Sequence, residues 1–220
     1  MSAWGKDVEL EAKFRVADES TVAHLMTAAE INGVPLSPIG RVKHFTDTYL
    51  DTDDSRLRAA GWTLRLRIIP GEGILASLKS ITPVEADGVH LRTEIEEFAA
   101  DSPDPRAWPE SSVKARALEL LGDGVPAKRA SVDQHRTVRQ ISIDGISAEM
   151  SIDDVRVTEP GSDEPLARWF EVEVEAVDGT REALDALAGK IGALHGLTPE
   201  RRSKGERALS LAYHEGLPGR

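Results

Sequence analysis

The sequence contains no cysteine, which excludes a disulfide framework, a thiolate metal site and a thiol nucleophile. That lack suits a reducing compartment, and the expected location is the cytoplasm. No uncharged apolar run approaches the roughly 20 residues that a membrane helix needs, and the opening MSAWGKDVEL lacks the apolar core of a secretory signal. Basic residues are in deficit, 27 Lys+Arg against 38 Asp+Glu, for a formal charge of −11. Such a chain repels phosphate backbones and anionic lipid, so neither a nucleic acid nor a membrane is expected as a partner. Neither GxxxxGKS/T nor GxGxxG occurs, which removes two glycine-rich routes to a nucleotide. The six histidines (24, 44, 90, 135, 195 and 214) never fall at a two-His metal spacing, so each is expected to be a surface or packing residue.

What the chain has in abundance is period-2 alternation, the mark of strands with two chemically different faces. Residues 8–16 set Val8, Leu10, Ala12, Phe14 and Val16 against Glu9, Glu11, Lys13 and Arg15. Residues 44–51 are rich in β-formers, and 62–69 alternate Trp62, Leu64, Leu66 and Ile68 with Thr63, Arg65 and Arg67. Residues 74–81 set Ser77 and Lys79 against Ala76 and Leu78, and 89–98 put His90, Arg92, Glu94 and Glu96 on one face. Residues 134–143 carry Gln134, Arg136 and Arg139. Residues 147–157 carry Glu149, Ser151 and Asp153, and 168–176 carry Trp169, Glu171, Glu173 and Glu175. Asp87-Gly88 and Asp144-Gly145 read as turns. Eight strands on mostly short connections predict an antiparallel sheet or barrel. Helices are expected over about 20–31 with Ser20 as cap, at 56–60, over 111–121, from Thr180 to Gly196, and over 204–214 behind Ser203. The expectation is one α+β domain spanning residues 1–220.

The charges on these strands are segregated. Acids cluster on the first, fifth, seventh and eighth strands, and bases on the third, fourth and sixth. Three glutamates at i, i+2 and i+4 point the same way about 7 Å apart and repel one another without a cation. Glutamate pairs beside arginine pairs suit a divalent metal bound to a polyphosphate, with Arg and Lys neutralising phosphate oxygens. If the strands close, these faces line the lumen and the apolar faces pack outward against helices. Trp62 shares the apolar face and is read as packing.

Glu9-Leu-Glu11-Ala-Lys13 resembles the ExExK signature of the CYTH family, the triphosphate tunnel metalloenzymes. Thr46 to Thr52 resembles that family's xxTYYDT segment, Leu64-Arg65-Leu66-Arg67 its LRxR strand, and Ser77-Leu78-Lys79 its lysine strand. Arg92-Thr93-Glu94 resembles its RxE strand, Arg136 to Arg139 its basic strand, and Ser151 to Asp154 the acidic strand after it. Phe170-Glu171-Val172-Glu173 resembles the ExE strand, and Ser203 to Leu209 the closing SKxxRAL helix. Two departures stand out: Gln134 replaces the first lysine of a Lys-x-Arg, and Glu175 adds a third acid to ExE.

The resemblance implies an eight-stranded antiparallel β-barrel, a triphosphate tunnel with flanking helices. It implies Mg²⁺ or Mn²⁺ held by Glu9, Glu11, Asp153, Glu171 and Glu173. A small-molecule triphosphate would be gripped by Arg65, Arg67, Lys79, Arg92, Arg136, Arg139 and Lys204. Lys13 and Tyr49 are implied as catalytic residues sharing a proton, with Glu94 and Glu175 in support. The expected activity is hydrolysis of inorganic tripolyphosphate or a nucleoside triphosphate. Conversion of ATP to cyclic AMP, as in class IV adenylate cyclases, and non-catalytic sensing of polyphosphate or nucleotide are the alternatives.

Overall fold

A computed structural model of the chain describes residues 8–81 and 89–213. The Asp87-Gly88 turn and His214 lie outside the described residues, as does the side chain of His90. Eight long strands form in chain order: β1 (Val8–Val16), β2 (Arg41–Asp51), β3 (Trp62–Ile69) and β4 (Gly73–Ser80) in the first part. β5 (Val89–Ala99), β6 (Ala127–Ile143), β7 (Ile146–Thr158) and β8 (Pro165–Asp178) follow. Around the sheet they run β8-β7-β6-β2-β3-β4-β5-β1, and β1 pairs back to β8, so the sheet closes into an antiparallel barrel. Closure removes the unpaired edges that an open sheet would expose.

The alternation seen in the sequence is the wall of this barrel. On β1, Leu10, Ala12 and Phe14 are buried on the outer face and pack with Leu184, Leu187 and Ile191. Those three belong to helix α4 (Arg181–Gly192), which is capped by the Thr180 hydroxyl accepting from the Ala183 N–H. Helix α1 (Glu19–Thr27) adds Leu25 to the same core. A second outer core joins Leu50, Leu57, Leu64, Leu66, Ala76 and Leu78 to α3 (Ser112–Leu121), with the single turn α2 (Arg56–Ala59) beside it. Trp62 packs at the edge of this core with Arg116 over its ring, as its position on the apolar face predicts.

Helix α1 is shorter than predicted and starts earlier. Its cap is Asp18, which accepts from the Thr21 N–H, rather than Ser20. Glu30–Ile31 instead pair with Val34–Pro35 across Asn32-Gly33, both at positive φ (48° and 80°). Asn-Gly supplies the two left-handed residues that a tight hairpin turn needs. Asp144-Gly145 does the same between β6 and β7, as read from the sequence. Helix α4 stops at Gly192, four residues short of Gly196. A short strand, Leu197–Pro199, then pairs with β1. None of the described helices is long and apolar enough to cross a membrane.

The last helix, α5 (Lys204–Ala212), is placed differently from the rest. Its Ser203 and Glu206 form a reciprocal capping box. Its Ala208 and Leu209 pack on Tyr49, Ala130, Val132, Val155 and Val157. Those residues share the inward parity of the charged side chains, so α5 fills one end of the barrel bore. Gly205 permits the fit, since a Cβ there would come within 2.5 Å of the Tyr49 ring.

Candidate functional site: a charged cavity inside the barrel

Inside the barrel lies a cavity of about 230 Å³, lined by both acidic and basic side chains. Strand register decides who faces whom. Lys13 is opposite Glu173 and Glu11 opposite Glu175 across β1 and β8. Arg136 is opposite Asp153 on β7, and Asp47 opposite Arg67 on β3. Because inward residues recur every second position, one register brings every such pair together.

The basic wall is built by β3, β4 and β6. Arg67 donates two parallel hydrogen bonds to Asp47, both 2.7 Å, and stacks its guanidinium 4.1 Å from the Phe45 ring. Arg65 donates to Ser77 and Glu96. Burial would raise the Asp47 carboxyl, yet Arg65 and Arg67 hold it below the usual carboxylate range. Arg136 donates to both oxygens of Asp153, at 2.8 and 2.7 Å, and to Glu173. Lys79 pairs with Glu9 and, at 3.4 Å, with Glu94. The Arg92 guanidinium lies 3.7 Å from Glu11.

Carboxylates fall into two groups. Asp153, Glu171 and Glu173 hold oxygens within 4.8 Å of one another. That group is already met by cations: the Lys204 ammonium, from the start of α5, sits 2.9, 2.5 and 2.8 Å from the three in turn. Glu171 also accepts from the Trp169 indole and from Arg207, whose guanidinium lies 3.7 Å over the Trp169 ring. Burial opposes charge on Glu173, but Lys13, Lys204 and Arg136 hold it well below the ordinary range.

The second group is Glu9, Glu11 and Glu175, with Glu173 at its border. Lys79 meets Glu9, and Lys13 and Arg92 meet Glu11, while Glu175 pairs with no cation among the described residues. Burial pushes the Glu9 carboxyl up to about 7 although Lys79 opposes the shift. Partial burial, then Glu9, Glu11 and Glu173, push Glu175 up to about 8. Glu11 is held down at about 2 against its burial by Lys13 and Lys79. These crowded carboxylates form a donor set of hard oxygens, which fits a divalent cation such as Mg²⁺ or Mn²⁺.

Lys13 reaches Glu11 at 3.3 Å and Glu173 at 2.8 Å. Burial favours its neutral form, but those two carboxylates prevail and hold its pKa above the ordinary lysine value. No hydrogen bond joins it to Tyr49 among the described residues. Burial and Asp47 raise the Tyr49 hydroxyl too.

Of the residues picked from sequence, Glu9, Glu11, Lys13, Tyr49, Arg65, Arg67, Lys79, Arg92, Glu94, Arg136, Glu173, Glu175 and Lys204 line this one cavity. Asp153 and Glu171 face the same bore but are fully buried behind Lys204. Arg139 is the exception. It points outward, where its guanidinium donates to the carbonyls of Ser37 and Leu25, both at 2.7 Å. An odd position on β6 cannot share the face of Gln134 and Arg136.

Sequence reasoning gave no role to Asp47 and read Gln134 as a weakened basic position. Asp47, fully buried, organises Arg65 and Arg67 and shares the parity of Tyr49. Gln134 lines the cavity with no hydrogen-bond partner for either amide atom.

Among solved structures, the candidate adenylyl cyclase HpAC1 from Hippeastrum, described as revealing a dominant triphosphatase activity, is 18% identical, with a TM-score of 0.66. The alignment covers 92% of this chain and 95% of that one. A candidate adenylate cyclase of Bacillus halodurans is 16% identical over 91% of this chain and 98% of its own, at a TM-score of 0.59. The PH1819 protein of Pyrococcus horikoshii is 16% identical over 92% and 98%, at 0.51. These likenesses establish a shared fold. No curated protein matches the sequence. Residues 7–209, nearly the whole chain, match the CYTH domain, and the chain belongs to the CYTH family.

Proposed function

We propose that the barrel hydrolyses a linear triphosphate, with tripolyphosphate favoured over a nucleoside triphosphate, in the presence of Mg²⁺ or Mn²⁺. The observation that carries this reading is the lining of the cavity. Arginines and lysines interleave with carboxylates around one small bore, and Glu9, Glu11, Glu173 and Glu175 gather where β1 meets β8. Sites for organic ligands are mostly apolar and aromatic. Here Tyr49 is the single aromatic among the described lining residues. A phosphate chain suits such a lining, and a base and ribose would have little to pack on.

In this reading Arg65, Arg67, Lys79, Arg92 and Arg136 bind the non-bridging oxygens, as forked or point-charge donors. Lys204 holds Asp153 and Glu171 in place and presents its charge to the phosphate from the end of the bore. Glu9, Glu11, Glu173 and Glu175 would hold the cation, a set shifted by one inward position along β8 from the one expected. A bound divalent ion there supplies charge neutralisation and a more acidic water. Lys13 stays protonated and spaces Glu11 from Glu173. Preorganised donors stabilise the equatorial oxygens as charge develops on them.

Incubation with tripolyphosphate, ATP and thiamine triphosphate, with and without Mg²⁺ or Mn²⁺, tests this when products are resolved by chromatography. Metal-dependent orthophosphate and pyrophosphate from tripolyphosphate are expected. Cyclic AMP as the main product from ATP would make the protein a cyclase. Tight binding of all three without turnover would make it a sensor.

A further inference from the structure

On the outer surface of the barrel, away from the charged bore, β2 and β6 bring two histidines together that lie 91 positions apart in the sequence. His44 and His135 are direct cross-strand partners. Their rings stack with centroids 4.3 Å apart and planes 11° from parallel. Asp133 shares the outward parity of His135. One of its oxygens lies 2.6 Å from His44 Nε2 and the other 3.6 Å from His135 Nδ1. One donor atom from each of the three lies within 4.8 Å of the other two.

The surrounding charges leave this carboxylate to the imidazoles. Arg156, opposite Asp133 on β7, donates to the Asp163 carbonyl instead. Arg168 donates twice to Asp154, the neighbour of His135 on β7. Among the described residues no lysine or arginine pairs with Asp133.

We propose that His44, His135 and Asp133 form a surface site for one divalent transition-metal ion of the zinc class, clipping β2 to β6. Two imidazoles and a carboxylate are a donor set that such ions accept and that Mg²⁺, which prefers oxygen, does not. Metal bonds of about 2.0–2.2 Å in a tetrahedron put donor atoms about 3.3–3.6 Å apart. Near-parallel rings cannot both aim a lone pair at one ion, so binding turns the imidazoles out of their stack, which exposure of 55%, 62% and 40% of the three side chains allows while barrel hydrogen bonds fix the strands. The ion takes the place of the hydrogen bond between His44 Nε2 and Asp133. The same two strands carry Phe45, Gln134 and Arg136 on the inner side, so an ion here would brace the basic wall from behind.

The test uses tag-free full-length protein in a large excess of Mg²⁺, which occupies oxygen-only sites. Cu²⁺ added as a paramagnetic probe should give an electron paramagnetic resonance spectrum split by two nitrogens. Zn²⁺ titrated by calorimetry should bind with one high-affinity equivalent. His44→Gln and His135→Gln should each weaken Zn²⁺ by on the order of tenfold or more and remove a nitrogen from the Cu²⁺ spectrum. Both variants should melt like the wild type in EDTA, and only the wild type should gain melting temperature with Zn²⁺. An oxygen-only Cu²⁺ spectrum in the wild type would overturn the proposal, as would unchanged Zn²⁺ affinity in both variants. The Cu²⁺ spectrum needs no variant, so the proposal stays testable if a substitution disturbs folding.

Discussion

Replacing Lys204 by methionine isolates the part that α5 plays. The ammonium is 8% exposed and touches three carboxylates that are themselves buried or nearly so. At about 2.8 Å and an effective dielectric near 20, each contact has a gross attraction of roughly 6 kcal/mol. Most of that is cancelled by the cost of taking the ions out of water. Removing one partner from a buried pair leaves a net loss of about 3–5 kcal/mol. Methionine keeps the stem volume, so the loss reports charge and not a void. The pH dependence gives a second handle. In the wild type Glu173 is held well below its ordinary pKa, so its contribution is complete above the unfolded carboxylate range and fades only as pH falls through the folded value. Lys204→Met removes one cause of that depression. The gap between the two proteins should therefore be widest at neutral pH and shrink in acid. Urea melts at several pH values, in EDTA, measure it directly. Equal stability at pH 7 would refute the view that Lys204 neutralises Asp153, Glu171 and Glu173.

Four further outcomes are expected. Glu9→Gln should reduce the pH dependence of the metal-free protein, leaving the part due to Glu175. With its carboxyl pushed up to about 7, wild-type stability is full below the unfolded pKa and falls by up to about 3 kcal/mol as pH rises through 7, which melting in EDTA across that range detects. Arg139→Met should lose about 2–3 kcal/mol, since the carbonyls of Ser37 and Leu25 lose a charged donor, yet leave tripolyphosphate affinity of the folded protein unchanged by calorimetry. Arg67→Ala should weaken tripolyphosphate by tenfold or more without altering Mn²⁺ affinity, about 1.4 kcal/mol or above, and rescue by added metal alone would contradict the division between acids and bases. Deleting residues 203–220 should destabilise the barrel and not merely raise KM, because it uncovers Val132, Val155, Val157 and Tyr49, as circular dichroism and melting will show.

The barrel was legible because its two faces differ so sharply. Glu9, Glu11 and Lys13 against Leu10, Ala12 and Phe14 state both the strand and its orientation. The same parity carries its own correction, since Arg139 stands an odd number of residues from Gln134 and Arg136. Asn32-Gly33 was the available sign that α1 ends early. Caps were readable at Ser111, Thr180 and Ser203, where a hydroxyl precedes a helical run. What the sequence could not reveal is non-local. Which carboxylates Lys204 neutralises depends on α5 entering the bore. The meeting of His44 with His135 depends on the pairing of β2 with β6, and no spacing rule within one segment encodes it.

A bore filled at one end by a helix is a blind cup. Tyr49, Lys204 and Gly205 line its floor, and Val132, Val155 and Val157 with Ala208 and Leu209 pack behind them. A linear anion cannot thread such a vessel; it must go in by a terminus. If the proposed hydrolysis holds, products would retreat through the opening that admits the next molecule, and short phosphates would compete with fresh substrate for the cations along the wall.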